Sequence, residues 1–341
     1  MVPHSTHTHS SGPGGHDHGP GSHQHVHGVT DPTVASSARG IWAVKWSFIA
    51  LILTALLQLA LVAVTGSVAL LADTIHNIGD AFSAVPLGIA FLLARRAASR
   101  RFTYGLGRAE DLAGAFIVML ILVSAVAAAY QSVDRLMHPQ ELRYLWVVAV
   151  AGVIGFLGNE AVAVFRIRVG KQINSAALIA DGYHARADGL TSLAVVGSAL
   201  GVWAGFPIAD AIIGLAISAA IAKILWDSSK TVFTRMLDGV DPTVVAELTH
   251  EAGHVPGVSG VNDVRARWLG HRLEAELHVA VPAGTSVEAA HRLTVDISHR
   301  LSHEFPYLRS AIVHVDPNDA AGADHHKIPA HRHDGLPLHS H

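Results

Sequence analysis

The chain has no cysteine, so neither a disulfide framework nor a thiolate metal centre is available, and any metal must be held by His, Asp or Glu. Charge is also scarce: 15% of the residues are charged, against about a quarter in an ordinary soluble domain. Half the residues are apolar and the mean hydropathy is +0.36, which excludes a fully solvated chain and predicts a membrane protein. A net charge of −3 gives no reason to invoke nucleic acid. The first 28 residues have no apolar core of the kind a signal peptide needs.

What those residues do contain is histidine, eight of them among Gly, Ser, Pro and Thr. Residues 1–40 read as a disordered, His-rich cytoplasmic tail, and residues 319–341 as a second one carrying His325, His326, His331, His333, His339 and His341. The tails hold 14 of the 25 histidines. Purification tags are uninterrupted runs, whereas these histidines alternate with Ser, Thr, Gly and Asp, a pattern suited to weak multidentate metal capture.

Apolar runs long enough to span a bilayer, about 20 residues each, fall near residues 41–64, 67–94, 110–132, 142–166, 175–203 and 207–226. They predict a polytopic α-helical membrane protein with six transmembrane helices over residues 41–236. Arg95, Arg96, Arg100, Arg101 and Arg108 crowd the second loop and Arg166, Arg168 and Lys171 the fourth, while the third has only Arg135 and Arg143. The positive-inside bias places both termini in the cytoplasm, with the plasma membrane as the expected location. From residue 237 to 318 the pattern becomes helix, strand, strand, helix, strand, a small α+β cytoplasmic domain. So small a core predicts dimerisation.

Within the apolar segments one pattern, A-D-x-x-H-x-x-x-D, occurs twice, as Ala72-Asp73…His76…Asp80 and as Ala180-Asp181…His184…Asp188. Residues four apart share a helix face, and ionisable groups at membrane depth require a partner, a cavity or a cation. Two such helices face to face supply two imidazoles and two carboxylates, a tetrahedral set suited to a divalent ion such as Zn²⁺. Asp73 and Asp181, three residues before each histidine, fall on the same face and read as support behind the ligands or as water-facing groups. The spacing of the two motif helices suits an inverted-repeat transporter with its site between the halves.

With these motifs the chain resembles the cation diffusion facilitator family of zinc/proton antiporters over residues 41–318. Gly66-Ser-Val-Ala-Leu-Leu-Ala72, Tyr104-Gly-Leu-Gly-Arg-Ala-Glu110 and Ile312-Val-His-Val-Asp-Pro317 carry the likeness alongside the repeated motif. The resemblance implies a six-helix membrane domain, a ferredoxin-like cytoplasmic domain, a homodimer, and export of a divalent cation in exchange for protons through His76, Asp80, His184 and Asp188. It also implies a regulatory metal site at His278, His291, His314 and Asp316, in which Asn262 stands where the family has a histidine. Arg108 and Asp238 match an ionic interlock between the two domains. Leu106 replaces the histidine of an additional loop site, which is therefore not expected here.

Gln58, Asn159, Glu160 and Asp210 are further polar residues at membrane depth and are expected to pack between helices or line the ion path. Pro86 is expected to kink the second helix. A zinc-dependent intramembrane hydrolase would need H-E-x-x-H and an open coordination position. The chain spells H-E-x-x-H once, as His250-Glu251-Ala-Gly-His254, but in the small cytoplasmic domain rather than in an apolar segment, and the other His-Glu pair, His303-Glu304, lacks the second histidine. A metal sensor or storage protein accounts for the tails but not for the buried quartet.

Overall fold

A computed structural model describes residues 32–65, 68–137, 145–206 and 208–321. Six long helices come first: α1 (Pro32–Thr65), α2 (Val68–Ala94), α3 (Ala109–Met137), α4 (Leu145–Gln172), α5 (Ala176–Trp203) and α6 (Ala209–Met236). Five are long and apolar enough to cross a membrane; α5 is the exception. The physical reason is its motif, since Asp181, His184, Arg186 and Asp188 interrupt its apolar sequence. Large apolar side chains such as Leu53, Phe82, Val123 and Trp226 face outward along the other helices, a surface that suits lipid rather than water.

Two helix boundaries differ from the apolar runs. Helix α1 begins at Pro32, so residues 32–40 are helical rather than tail; proline is favoured in a first helical turn, where its missing N–H costs nothing. Helix α4 continues to Gln172, so Arg166 is not a loop charge. It is buried within the bundle and counts neither for nor against orientation.

Helices α4 and α5 pack closely, and Gly182, inside the second motif, sits at their contact. A Cβ there would lie 2.7 Å from Ile167 Cγ1 and 3.0 Å from the Ile167 nitrogen. Helix α2 runs through Pro86, whose ring removes one intrahelical hydrogen bond.

The C-terminal domain has the expected order: α7 (Pro242–Gly253), β1 (Gly260–Leu269), β2 (Arg272–Val281), α8 (Val287–Glu304) and β3 (Leu308–Pro317). Strand β2 is central, antiparallel to β1 and parallel to β3. The parallel β2–β3 pair requires a crossover, which α8 supplies. Leu293, Ile297 and Leu301, spaced at i, i+4 and i+8, form the buried face of α8 against the sheet, and Leu248 and Ala252 of α7 join the same core. Each helix is capped by its preceding residue: Asp241 accepts from the Thr243 N–H and Ser286 from the Ala289 N–H.

Candidate metal site and its surroundings

Asp80 on α2 and His184 and Asp188 on α5 come together in the membrane domain, each offering a ligand atom within 4.8 Å of the others. His184 Nδ1 and Asp188 Oδ2 are 3.5 Å apart, one turn of α5 between them. Both residues are buried, at 3% and 2% exposure. A tetrahedral Zn²⁺ holds such ligands at about 2.0–2.2 Å, hence about 3.3–3.6 Å from one another, a spacing the His184–Asp188 pair already has. His76 and Asp73 belong to α2, but their side chains lie outside the described residues, as does that of Asp210. The histidine-rich tail segments 1–31 and 322–341 are also outside them.

The motif repeat extends further than the sequence pattern suggested. Ser83 donates its hydroxyl to the Asp80 carbonyl at 2.6 Å, and Thr191 donates to the Asp188 carbonyl at 2.7 Å. Each carboxylate is thus followed three residues later by a hydroxyl that back-bonds to its own main chain, an arrangement that locally bends helices. The signal, D-x-x-[S/T] in both copies, was available in the sequence.

Asp181 is not water-facing. It is completely buried, and its Oδ2 lies 3.0 Å from Nη1 of Arg166, itself 1% exposed. The ion pair ties α5 to α4, because a charge at that depth is retained only with an opposite charge beside it. A second α4–α5 pair is bidentate: Arg186 Nε and Nη2 donate to the two Glu160 oxygens at 3.1 and 2.7 Å. Arg186 was missed by sequence reasoning, although an arginine inside an apolar run calls for a carboxylate partner. Gln58 accepts from Asn77 Nδ2 at 2.6 Å, linking α1 to α2 next to the first motif. Asn159 is buried against α5 at Gly189.

In the C-terminal domain, His278 of β2 and His314 and Asp316 of β3 form a second group with ligand atoms within 4.8 Å. The parallel register sets His278 beside His314, and Asp316 Oδ1 lies 3.0 Å from His314 Nε2. Two imidazoles and a carboxylate are a donor set suited to Zn²⁺ or a similar ion, with a further coordination position available. His291 is exposed on α8 and is not part of this group. Asn262 falls at the irregularity in β1 between Val261 and Asp263, and Asp263 is the cross-strand neighbour of His278.

Where the domains meet, Arg108 Nη2 donates to Asp238 Oδ1, both side chains half-exposed. The β1–β2 turn also enters the membrane domain, where His271 and Glu110 are buried together with Nδ1 2.6 Å from Oε2. Nothing local in the sequence marked His271. The arginine-rich 95–108 loop packs on the C-terminal domain: Arg309 donates to the Tyr104 carbonyl at 2.9 Å, and Arg267 lies over the Tyr104 ring.

Residues 44–237 match the cation efflux transmembrane domain, and residues 240–318 match the cation efflux protein cytoplasmic domain. The chain belongs to the cation efflux, or cation diffusion facilitator, family. A probable cation efflux system protein of Mycobacterium tuberculosis is 52% identical over 287 residues, 84% of this chain and 86% of the relative. An uncharacterized transporter of Methanocaldococcus jannaschii is 30% identical, covering 79% of this chain and 95% of its own length. The manganese efflux system protein MneS of Bacillus subtilis is 25% identical, covering 74% of this chain and 86% of that protein. This cation efflux protein is accordingly a membrane transporter for divalent cations, with a helical transmembrane domain followed by a small α+β domain.

Proposed function

We propose that this chain exports Zn²⁺ from the cytoplasm in exchange for protons, through an intramembrane site of His76, Asp80, His184 and Asp188. The observation that carries the reading is the convergence of Asp80, His184 and Asp188 from α2 and α5 inside the bundle. Nitrogen and carboxylate donors in a tetrahedral set suit Zn²⁺. Metal binding needs neutral imidazole and ionised carboxylate, so loading the ion releases protons and an inward proton gradient favours its release. Alternating access comes from rocking of the membrane helices around the fixed site.

In this reading six helices span the plasma membrane and both termini are cytoplasmic. The contact between the arginine-rich 95–108 loop and the C-terminal domain supports a shared cytoplasmic side. The C-terminal domain forms the homodimer, and His278, His314 and Asp316 hold a regulatory metal that tunes the rate, without His291. Arg108 and Asp238 orient the domains as an interlock. Asp181 acts through Arg166 as a helix tie. The tails raise the local supply of metal at the cytoplasmic mouth.

Manganese is the second reading, favoured by the similarity to a protein named for manganese efflux. The donor set argues against it, since Mn²⁺ prefers carboxylate, carbonyl and water oxygens in octahedral arrangement. The test is flux in proteoliposomes loaded with metal-sensitive dyes, across Zn²⁺, Mn²⁺, Co²⁺ and Cd²⁺, with and without ΔpH. Zinc flux that depends on ΔpH and disappears in folded Asp188→Ala is the expected result. Undiminished flux in that variant would overturn the site, and a clear preference for Mn²⁺ would overturn the substrate.

A further inference from the structure

The β1–β2 turn sits in a seat with no slack. Gly270 has φ +63°, and a Cβ there would lie 2.8 Å from both Glu110 Oε2 and the Gly107 carbonyl oxygen. A left-handed backbone position pressed against main chain admits only glycine. Beside it, His271 is 2% exposed. Its Nδ1 donates to Glu110 Oε2 at 2.6 Å, and its Nε2 faces Ser36 Oγ at 2.9 Å and Ser37 Oγ at 3.4 Å on α1. With the proton on Nδ1, Nε2 of the neutral ring accepts from the Ser36 hydroxyl.

Glu110 passes the contact onward. Its other oxygen, Oε1, accepts from Ser175 Oγ at 2.5 Å, and Ser175 Oγ itself accepts from the Leu178 N–H at 3.0 Å. Ser175 therefore caps the first turn of α5 while bonded to the carboxylate that holds the hairpin. A continuous series of buried hydrogen bonds runs from the C-terminal domain through α3 into α5. His184 lies nine residues along from Ser175, about 14 Å at the helical rise. On the same seat, Arg235 of α6 stacks on Trp268 of the hairpin with 4.2 Å to the ring centroid and donates to the Asn174 carbonyl at 2.6 Å. Gly270 N–H also points at Asp111 Oδ2, 3.4 Å away. These contacts are separate from the half-exposed Arg108–Asp238 pair.

We propose that His271 is a positioning residue for export: through Glu110 and Ser175 it holds the start of α5, and so sets the helix that carries His184 and Asp188 for the conformational step. Buried, fully bonded polar networks specify one arrangement of the elements they join, and a rocking helix needs its pivot end held. A seat that merely glued the domains together would affect stability without separating turnover from metal affinity. The inference rests on the proposed transport site.

The test compares full-length wild type, His271→Ala, His271→Asn and Ser175→Ala in proteoliposomes. Asn keeps an N–H donor near the place of Nδ1, and Ser175→Ala cuts the series without touching the hairpin. Maximal Zn²⁺ flux is expected to fall about tenfold in both alanine variants while the Zn²⁺ dissociation constant stays within about twofold of wild type, as expected when a transition rather than binding is affected. His271→Asn should recover most of the flux. Amide exchange over residues 176–180 should accelerate in both alanine variants and return towards wild type in His271→Asn.

Flux within twofold of wild type in either alanine variant overturns the proposal, as does Asn performing no better than Ala, or unchanged exchange at the start of α5. Should His271→Ala fail to fold, His271→Gln, whose amide reaches the place of Nε2 and leaves that of Nδ1 empty, takes its place against His271→Asn, because Ser175→Ala also removes the α5 cap itself. The exchange readout does not depend on where the metal binds. Zn²⁺ affinity unchanged by Asp188→Ala would therefore identify a failure of the site reading rather than of the coupling.

Discussion

Replacing Arg166 by Met isolates the role of the ion pair behind the metal site. Arg166 Nη1 and Asp181 Oδ2 are 3.0 Å apart with side chains 1% and 0% exposed, so no solvent relieves either charge. Methionine fills much of the arginine's volume and leaves the Asp181 carboxylate with no cation opposite it. Removing one partner of a buried pair destabilises by about 3–5 kcal/mol, whereas replacing both by apolar residues of similar size is close to neutral. For a membrane domain of roughly 200 residues the single substitution should lower Tm by on the order of 10 °C. The double variant Arg166→Met/Asp181→Leu should recover most of that loss. Thermal unfolding of all four proteins of the cycle, followed by tryptophan fluorescence in detergent, measures the coupling. Zn²⁺ binding to the double variant, measured by calorimetry in a His314→Ala background that removes the C-terminal group, should persist, because neither residue belongs to the Asp80, His184 and Asp188 group. A double variant no more stable than Arg166→Met refutes the reasoning. A stable double variant that no longer binds zinc would return Asp181 to the metal site.

Gly182→Ala forces a methyl against Ile167, including its main-chain nitrogen, and such overpacking should destabilise by about 1–3 kcal/mol; an unchanged Tm would mean that α4 and α5 separate freely. In the C-terminal domain, saturating Zn²⁺ at a hundred times the dissociation constant should stabilise by about 2.7 kcal/mol, an increment that EDTA reverses and that His314→Ala abolishes; equal metal stabilisation in that variant would remove the assignment. The Asp241 carboxylate is held below its ordinary value of 3.8 by the Thr243 N–H and hydroxyl. Its contribution to α7 is therefore complete above that value and is lost as pH falls through the lower folded-state value. Amide exchange in α7 should accelerate over that acid range in wild type, and an identical pH profile in Asp241→Asn would show that another group is responsible.

Local periodicity carries much of the architecture. The repeated A-D-x-x-H-x-x-x-D motif could be read as two ligand pairs because residues four apart share a helix face, whatever the rest of the chain does. The same periodicity is legible in α8, where Leu293, Ile297 and Leu301 recur at i, i+4 and i+8, and Asp241-Pro242 is a local signal for the start of α7. Positive-inside counting treated Arg166 as a loop charge because one-dimensional hydropathy ends a span at the first cation; its partner Asp181 is on the next helix.

Contacts between distant segments leave no such trace. Glu110 and His271 are 161 positions apart, and neither sits in a periodic pattern that names the other. Glu160 and Arg186 look like two isolated liabilities until α4 and α5 pack and make them one pair. Helical spacing is a property of neighbouring residues and can be read along the chain. Which buried charge meets which, and which hairpin enters which bundle, depends on how desolvation is compensated once the elements have docked, and that compensation exists only in three dimensions.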